Sequence, residues 1–151
     1  MGYMKMAVDA TIQGMNNGHG GPFGATIVRG EEVIAAVSNT MMKDIDPTAH
    51  AEMVAIRVAC EKLGTMDLSD CVIYATCEPC PMCMGAIIWS GVKEVHYCST
   101  REDAAKHGFS DMHLRDYLAG KDDSVVNMIK VEQREECEYL WDHFHELNKM
   151  K

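Results

Sequence analysis

Two short groups of residues carry chemistry whose parts fit together: His50-Ala51-Glu52 and Pro79-Cys80-Pro81-Met82-Cys83. One imidazole and two thiolates are three ligands of the kind zinc takes, and a tetrahedral ion held by three leaves its fourth position to a water. Structural zinc is normally closed by a fourth protein ligand, so His50, Cys80 and Cys83 predict one catalytic zinc per chain. Bound to zinc, water drops from a pKa of 15.7 to about 7 and becomes a usable nucleophile. Glu52 is not needed as a ligand and is free to move protons in both directions. Such a set suits hydrolysis at a carbon whose leaving amine must depart as ammonia. A rival from another class stays open, because Cys77 lies three residues before Cys80. With Cys77 as fourth ligand, the same residues would make a closed, non-catalytic zinc module. Glu52 weighs against that rival, since a closed site has no use for a spare carboxylate.

The elements around these residues suit convergence. The spacing predicts a helix from about Ala49 to Leu63, closed by Gly64, and a second helix opening at the Pro79-Cys80 step and running through Ile88. Cys80 and Cys83, three apart on that second helix, share a face. Amides at its N-terminus favour thiolate over thiol. A first helix is expected from about Met4 to Gly14, with Ala7, Val8, Ile12 and Met15 on or near one side. Strands are expected at Ala25–Val28 and Val33–Val37, a hairpin around Arg29-Gly30-Glu31-Glu32, and at Val72–Thr76, near Val95–Cys98 and at Val125–Val131. Short helical pieces follow near Asp103–Lys106 and Leu114–Leu118, and a long helix begins at about Glu135. Strands alternating with helices predict a three-layer α/β/α domain on a mixed five-stranded sheet. Both chemical motifs start helices that follow sheet-side segments, so they can meet at one edge of that sheet.

Composition narrows the partners. At 151 residues, 47% of them hydrophobic, the chain reads as one domain with a proper core. Neither a secretory segment nor an apolar run of membrane-spanning length is visible, which predicts a cytoplasmic protein with no membrane association. Seven cysteines then read as reduced thiols, two of them on metal. Thirteen scattered methionines read as core filling. Acidic residues outnumber basic ones 23 to 14, for a net charge of −9, and no basic stripe stands out. Gripping a polynucleotide takes lysine and arginine against phosphates, so a small substrate is favoured over nucleic acid.

The pattern His-x-Glu followed by Pro-Cys-x-x-Cys is similar to that of zinc nucleobase deaminases. Over nearly its full length the chain resembles the cytidine deaminase-like superfamily. The stretches Pro47-Thr48-Ala49-His50-Ala51-Glu52 and Cys77-Glu78-Pro79-Cys80-Pro81-Met82-Cys83, with Gly85-Ala86-Ile87 after them, are similar to both tRNA adenosine deaminases and bacterial-type guanine deaminases. Asp103-Ala104-Ala105-Lys106-His107-Gly108-Phe109-Ser110-Asp111 resembles the guanine enzymes, which share an alanine-rich turn, Gly-Phe and an acidic pair. Here Ser110 replaces the first acid of that pair. Trp89 likewise resembles the guanine enzymes.

The resemblance implies hydrolysis of guanine to xanthine and ammonia, with Asn39 bonding the purine, Phe23 and Trp89 forming walls against its ring, and Asp111 at the polar edge. A carboxylate can accept from guanine N–H groups while aromatic faces hold a flat base. Adenosine in tRNA, guanosine, cytosine, isocytosine and aminotriazine rings stay open as alternative substrates. Asn39 as a turn-shaping residue and Asp111 as a helix cap stay open too. The resemblance further implies a homodimer, with exchange of the C-terminal helix between subunits left open.

Overall fold

The computed structural model describes residues 2–149. Eleven elements are present among them: α1 (Tyr3–Asn16), β1 (Gly24–Arg29), β2 (Glu32–Ser38), α2 (Met41–Asp44), α3 (Ala51–Leu63), β3 (Cys71–Cys77), α4 (Pro81–Ser90), β4 (Glu94–Ser99), α5 (Arg101–Lys106), α6 (Met112–Leu118) and α7 (Arg134–Lys149). The four strands form one mixed sheet in the order β2-β1-β3-β4. Strand β1 runs antiparallel to both β2 and β3, and β3 runs parallel to β4. The parallel step needs a crossover, which α4 supplies. No helix among the described residues is long and apolar enough to cross a membrane.

Every residue of β1 except Arg29 is buried, as a strand covered on both faces must be. Alternation sends Ala25 and Ile27 into the core with Ala51, Ala55 and Ala59 of α3 and Ile73 of β3. The other face meets α1, where the Thr26 hydroxyl donates to the Tyr3 carbonyl at 3.0 Å. Helices therefore lie on both sides of the sheet, and the α/β/α layering expected from the alternation of elements is present.

The buried stripe of α1 differs from the one expected. Ala7, Thr11 and Gly14 are buried, while Val8, Ile12 and Met15 are exposed. Small residues let the helix backbone approach the sheet closely. A Cβ on Gly14 would collide with the Ser38 side chain, and one on Gly24 with Thr11 and the Ala7 carbonyl. Side-chain size, not hydrophobicity alone, chose the buried face.

The expected fifth strand is absent. Residues 125–131 form no strand, and Val125, Val126, Met128, Ile129 and Val131 are all exposed. Strand propensity needs a neighbour to bond to, and no described segment pairs with these residues. The sheet ends at β4, which pairs only with β3.

Candidate active site

His50 and Cys80 each occupy the residue just before a helix, at the N-caps of α3 and α4, with extended backbone and no side-chain cap bond. Pro81 sits at the first position of α4, where its fixed φ suits the helix and its missing N–H is not needed. Cys83, two residues further on, is fully buried. Because α3 packs against α4, the two helix N-termini present their caps to one point. The His50 ring Nδ1 lies 3.6 Å from Cys80 Sγ and 3.5 Å from Cys83 Sγ. All three ligand atoms fall within 4.8 Å of one another.

These separations fit zinc. Tetrahedral bonds of ~2.3 Å to sulfur and ~2.0 Å to nitrogen place nitrogen and sulfur about 3.5 Å apart. The donor set, one imidazole and two thiols, is also the soft set that zinc favours. Cys77 stands apart from the cluster, its Sγ directed at the Thr100 carbonyl at 3.6 Å. A site closed by Cys77 therefore does not form in this arrangement.

Metal-free, the thiols share what charge they can hold. Cys83 donates to Cys80, which with help from His50 lowers the Cys80 thiol to about 4. Cys83 keeps its proton, held up by the Cys80 thiolate and by burial. His50 is raised by its contact with Cys80. A divalent cation at this point would draw both sulfurs to thiolate and leave the imidazole neutral.

Glu52, in the first turn of α3, is only 7% exposed. Burial holds its carboxyl above the ordinary range, and the Cys80 thiolate adds to the shift. A buried carboxyl poised upward, beside a metal cluster and at the wall of a cavity, has what a proton shuttle needs.

The cavity in front of the cluster has a volume of about 750 Å³ and includes His50, Glu52 and Cys80 in its lining. Asn39, Phe23 and Asp111 line it as well. Asn39 is almost wholly buried. Its amide donates to the Gly21 carbonyl at 2.7 Å, and its Oδ1 accepts from the Gly21 N–H at 3.2 Å. A side chain on Gly20 would overlap that amide. Asn39 thus clamps the glycine loop while facing the cavity. Asp111 precedes α6 but makes no cap bond with its side chain. One carboxylate oxygen accepts from Arg115 Nε at 2.7 Å, and the other lies 3.9 Å from Arg101 Nε.

Trp89 is not brought to this cavity. It is 91% exposed and absent from the lining. At 100° per residue it lies about 120° around α4 from Cys83, so the face that delivers the cysteine turns the indole outward. The second aromatic wall comes instead from Phe109, which the sequence motif contained without revealing its role. Its ring meets Phe23 edge-on, with centroids 5.1 Å apart and planes at 86°. Arg101 also lines the cavity unforeseen. The overlooked signals were Thr100-x-x-Asp103, a reciprocal cap at the start of α5, and Gly108 just past its end at φ +89°. There the Gly108 N–H donates to the Ala105 carbonyl and the Phe109 N–H to the Ala104 carbonyl, at 3.1 and 3.0 Å. That double bond pattern is a Schellman motif, and it folds Phe109 and Asp111 back toward the zinc end.

Comparison with known proteins agrees with this geometry. Residues 1–99 match the model of the cytidine and deoxycytidylate deaminase zinc-binding region. Guanine deaminase of Bacillus subtilis (strain 168) is 50% identical over 112 residues, covering 74% of this chain and 72% of the relative. A tRNA-specific adenosine deaminase of Aquifex aeolicus (strain VF5) is 38% identical over 106 residues, 70% of this chain and 68% of that one. The X-ray structure of guanine deaminase from Bacillus subtilis superposes with a TM-score of 0.83 at 39% identity, covering 93% of this chain and 92% of the other. With its helix-capping histidine and cysteine on one cavity, and that match across residues 1–99, this chain belongs to the zinc-binding cytidine and deoxycytidylate deaminase family.

Proposed function

We propose that this chain is a zinc-dependent guanine aminohydrolase, converting guanine and water to xanthine and ammonia. The observation that carries the reading is the juxtaposition of a buried Glu52, a three-ligand cluster and a cavity with aromatic walls and Asp111 on its rim. The 50% identity to a guanine deaminase supports the choice of base. Held by His50, Cys80 and Cys83, zinc supplies the Lewis acidity that makes water nucleophilic near neutral pH. Phe23 and Phe109 take the flat faces and edges of the ring, and the Asp111 oxygen not used by Arg115 accepts from a guanine N–H. Glu52 takes one proton of the attacking water and passes it to the ring nitrogen beside the attacked carbon, then carries the proton of the newly formed hydroxyl to the departing amine as the carbonyl forms. The carbon–amine bond breaks and ammonia leaves. Residues 1–151 act in this as one deaminase domain, supported by the single core and single metal cluster among the described residues.

Adenosine in tRNA is the nearest rival, given the adenosine deaminase relative. The net charge of −9 argues against a polynucleotide. An ammonia-release screen of guanine, guanosine, adenine, cytosine and a tRNA anticodon stem-loop tests the reading. Release from guanine above all others supports it. Deamination of the stem-loop with none of guanine moves the chain to the tRNA enzymes.

The working unit is a homodimer with α7 exchanged, in the cytoplasm. Supporting the exchange, α7 buries nothing, and Tyr139, Leu140, Trp141, Phe144 and Leu147 are each between 49% and 67% exposed. The apolar segment 125–131 beside it is exposed too, and β4 has an unpaired edge. An apolar face of this kind on a solvated helix marks an interaction surface. Light scattering during size exclusion should give twice the mass of one chain.

A further inference from the structure

Arg101 stands between the two halves of the site, and its bonds are unevenly satisfied. Its backbone N–H donates to Glu78 Oε1 at 3.1 Å, and its Nη2 donates to the Pro79 carbonyl at 3.2 Å. Both acceptors belong to the turn that delivers Cys80. On its other side, Nε lies 3.6 Å from Glu78 Oε2 and 3.9 Å from Asp111 Oδ2. Among the described residues this Nε is buried without a hydrogen-bond partner. A buried donor without an acceptor costs free energy, so an arrangement that keeps one asks for a reason. Here the donor faces two carboxylates at once, each a little beyond bonding distance.

The surrounding chain is stiff. Arg101 opens α5, whose N-terminus is closed by the reciprocal Thr100–Asp103 cap and whose C-terminus is closed by the two hydrogen bonds from Gly108 and Phe109. Asp111 follows two residues later. A short, doubly capped helix thus joins the arginine that holds the cysteine turn to the loop that carries the acid.

We propose that Arg101 is a positioning residue that sets the distance between the zinc turn and Asp111, and so how tightly the edge of the base is held. This inference rests on the guanine reading, because Asp111 matters as a base-edge acceptor only there. A guanidinium suits the task, since its rigid fork can hold a carbonyl with one nitrogen and face a carboxylate with another. Losing the fork leaves Asp111 held by Arg115 alone, without touching a metal ligand. The base is then held less well, while a molecule that does bind reacts at close to the usual rate.

The experiment compares Arg101→Gln and Arg101→Lys with the parent holoenzyme, measuring zinc content, kcat and KM for guanine. In Arg101→Gln, KM should rise about tenfold or more with a smaller fall in kcat, at one zinc per chain. Arg101→Lys should recover part of KM, through its charge, but not all. Guanine binding by Glu52→Gln, with and without Arg101→Gln, reads affinity apart from turnover and should weaken by the same factor. In a double-mutant cycle, Arg101→Gln should add little to Asp111→Asn, because the two act through one group. Unchanged KM in both arginine variants, or effects that simply add to those of Asp111→Asn, would overturn the proposal. So would loss of zinc with KM unaltered in Arg101→Lys, which would make Arg101 a prop for the cysteine turn alone. A parent inactive on guanine is a separate result and would sink the guanine reading itself.

Discussion

Helices α3 and α7 are similar in length, 13 and 16 residues, and both carry an apolar face, yet only α3 has used it. Along α3 the buried positions are Ala51, Ala55 and Ala59, with Glu52 beside them. Alanine lets the helix sit close on β1 and β2, so its first turn delivers His50 and Glu52 to a fixed place. Along α7 the apolar residues are large: Leu140, Phe144 and Leu147 recur at helical spacing, with Tyr139 and Trp141 alongside. None of them is buried. Small side chains suit a helix that packs against its own sheet, and large ones suit a helix that reaches for a surface elsewhere. The zinc cluster is assembled within the chain, whereas the apolar residues of the arm from 121 to 149 stay exposed.

The largest effect is expected from removing a metal ligand at the zinc end. Cys83→Ala removes a fully buried ligand, and elemental analysis should show near-total loss of zinc with weakened folding, since metal binding adds to stability. Stripping the parent with a chelator should abolish turnover, and added zinc should restore it. Full zinc occupancy in Cys83→Ala would remove that cysteine from the ligand set.

Glu52→Gln tests the same end without touching a ligand. It keeps size and hydrogen bonding but removes the proposed proton shuttle, so turnover should fall by about 10² to 10⁴ while zinc stays bound. Wild-type rates in that variant would show that another group moves the protons.

Asp111→Asn comes next. It replaces the proposed acceptor of a guanine N–H with a donor and loosens the hold of Arg115, whose Nε now bonds the carboxylate at 2.7 Å. A mismatched buried pair costs a few kcal/mol, so activity on guanine should fall about 10²-fold. Equal activity of variant and parent would leave Asp111 as an anchor for Arg115 only.

How much of this was legible in the sequence follows the same divide. His50, Cys80 and Cys83 were readable because each ligand sits at or near a helix start that local signals announce, Pro81 for α4 and the turn before Ala51 for α3. Gly64, in the left-handed region at φ 66°, closed α3 as expected. Trp89 lies off the cavity within one chain because a motif gives neighbours in sequence, whereas the phase of α4 decides which neighbours face the cavity. Phe109 and Arg101 were invisible as site residues because their positions depend on both caps of α5 acting together. The 125–131 strand failed for a different reason: its residue types are right, but a strand is a relation between two segments, and the described residues supply only one.

The arm gives a weaker effect on chemistry than on assembly. Trp141→Asp with Phe144→Asp places charge on the exposed face of α7 and should shift the protein from dimer to monomer in light scattering. Zinc should stay at one per chain, and guanine turnover should fall less than in Asp111→Asn. Zinc loss in this double variant would join the arm to the folding unit and erase the contrast with α3.

The smallest expected effect concerns what the zinc end gives up in stability to hold Glu52. Its carboxyl is raised above the ordinary 4.5, chiefly by burial and next by the Cys80 thiolate. A group whose folded pKa lies above its unfolded one contributes most below the unfolded value, and that contribution is lost as pH rises through the folded one. Metal-free parent should therefore lose stability relative to Glu52→Gln as pH climbs from about 4.5, the two being closest in acid. Glutamine at this place has no charge to bury, so its Tm at neutral pH should be a few degrees higher than the parent's. Thermal melts of both proteins across this range check the sign. The α7 double variant, whose substituted residues are both exposed, should leave the parent's difference from Glu52→Gln unchanged at every pH. A Glu52→Gln protein less stable than the parent at neutral pH would mean that the ionised carboxylate holds the α3 N-terminus together, and would place Glu52 among the residues that build the site as well as those that work in it.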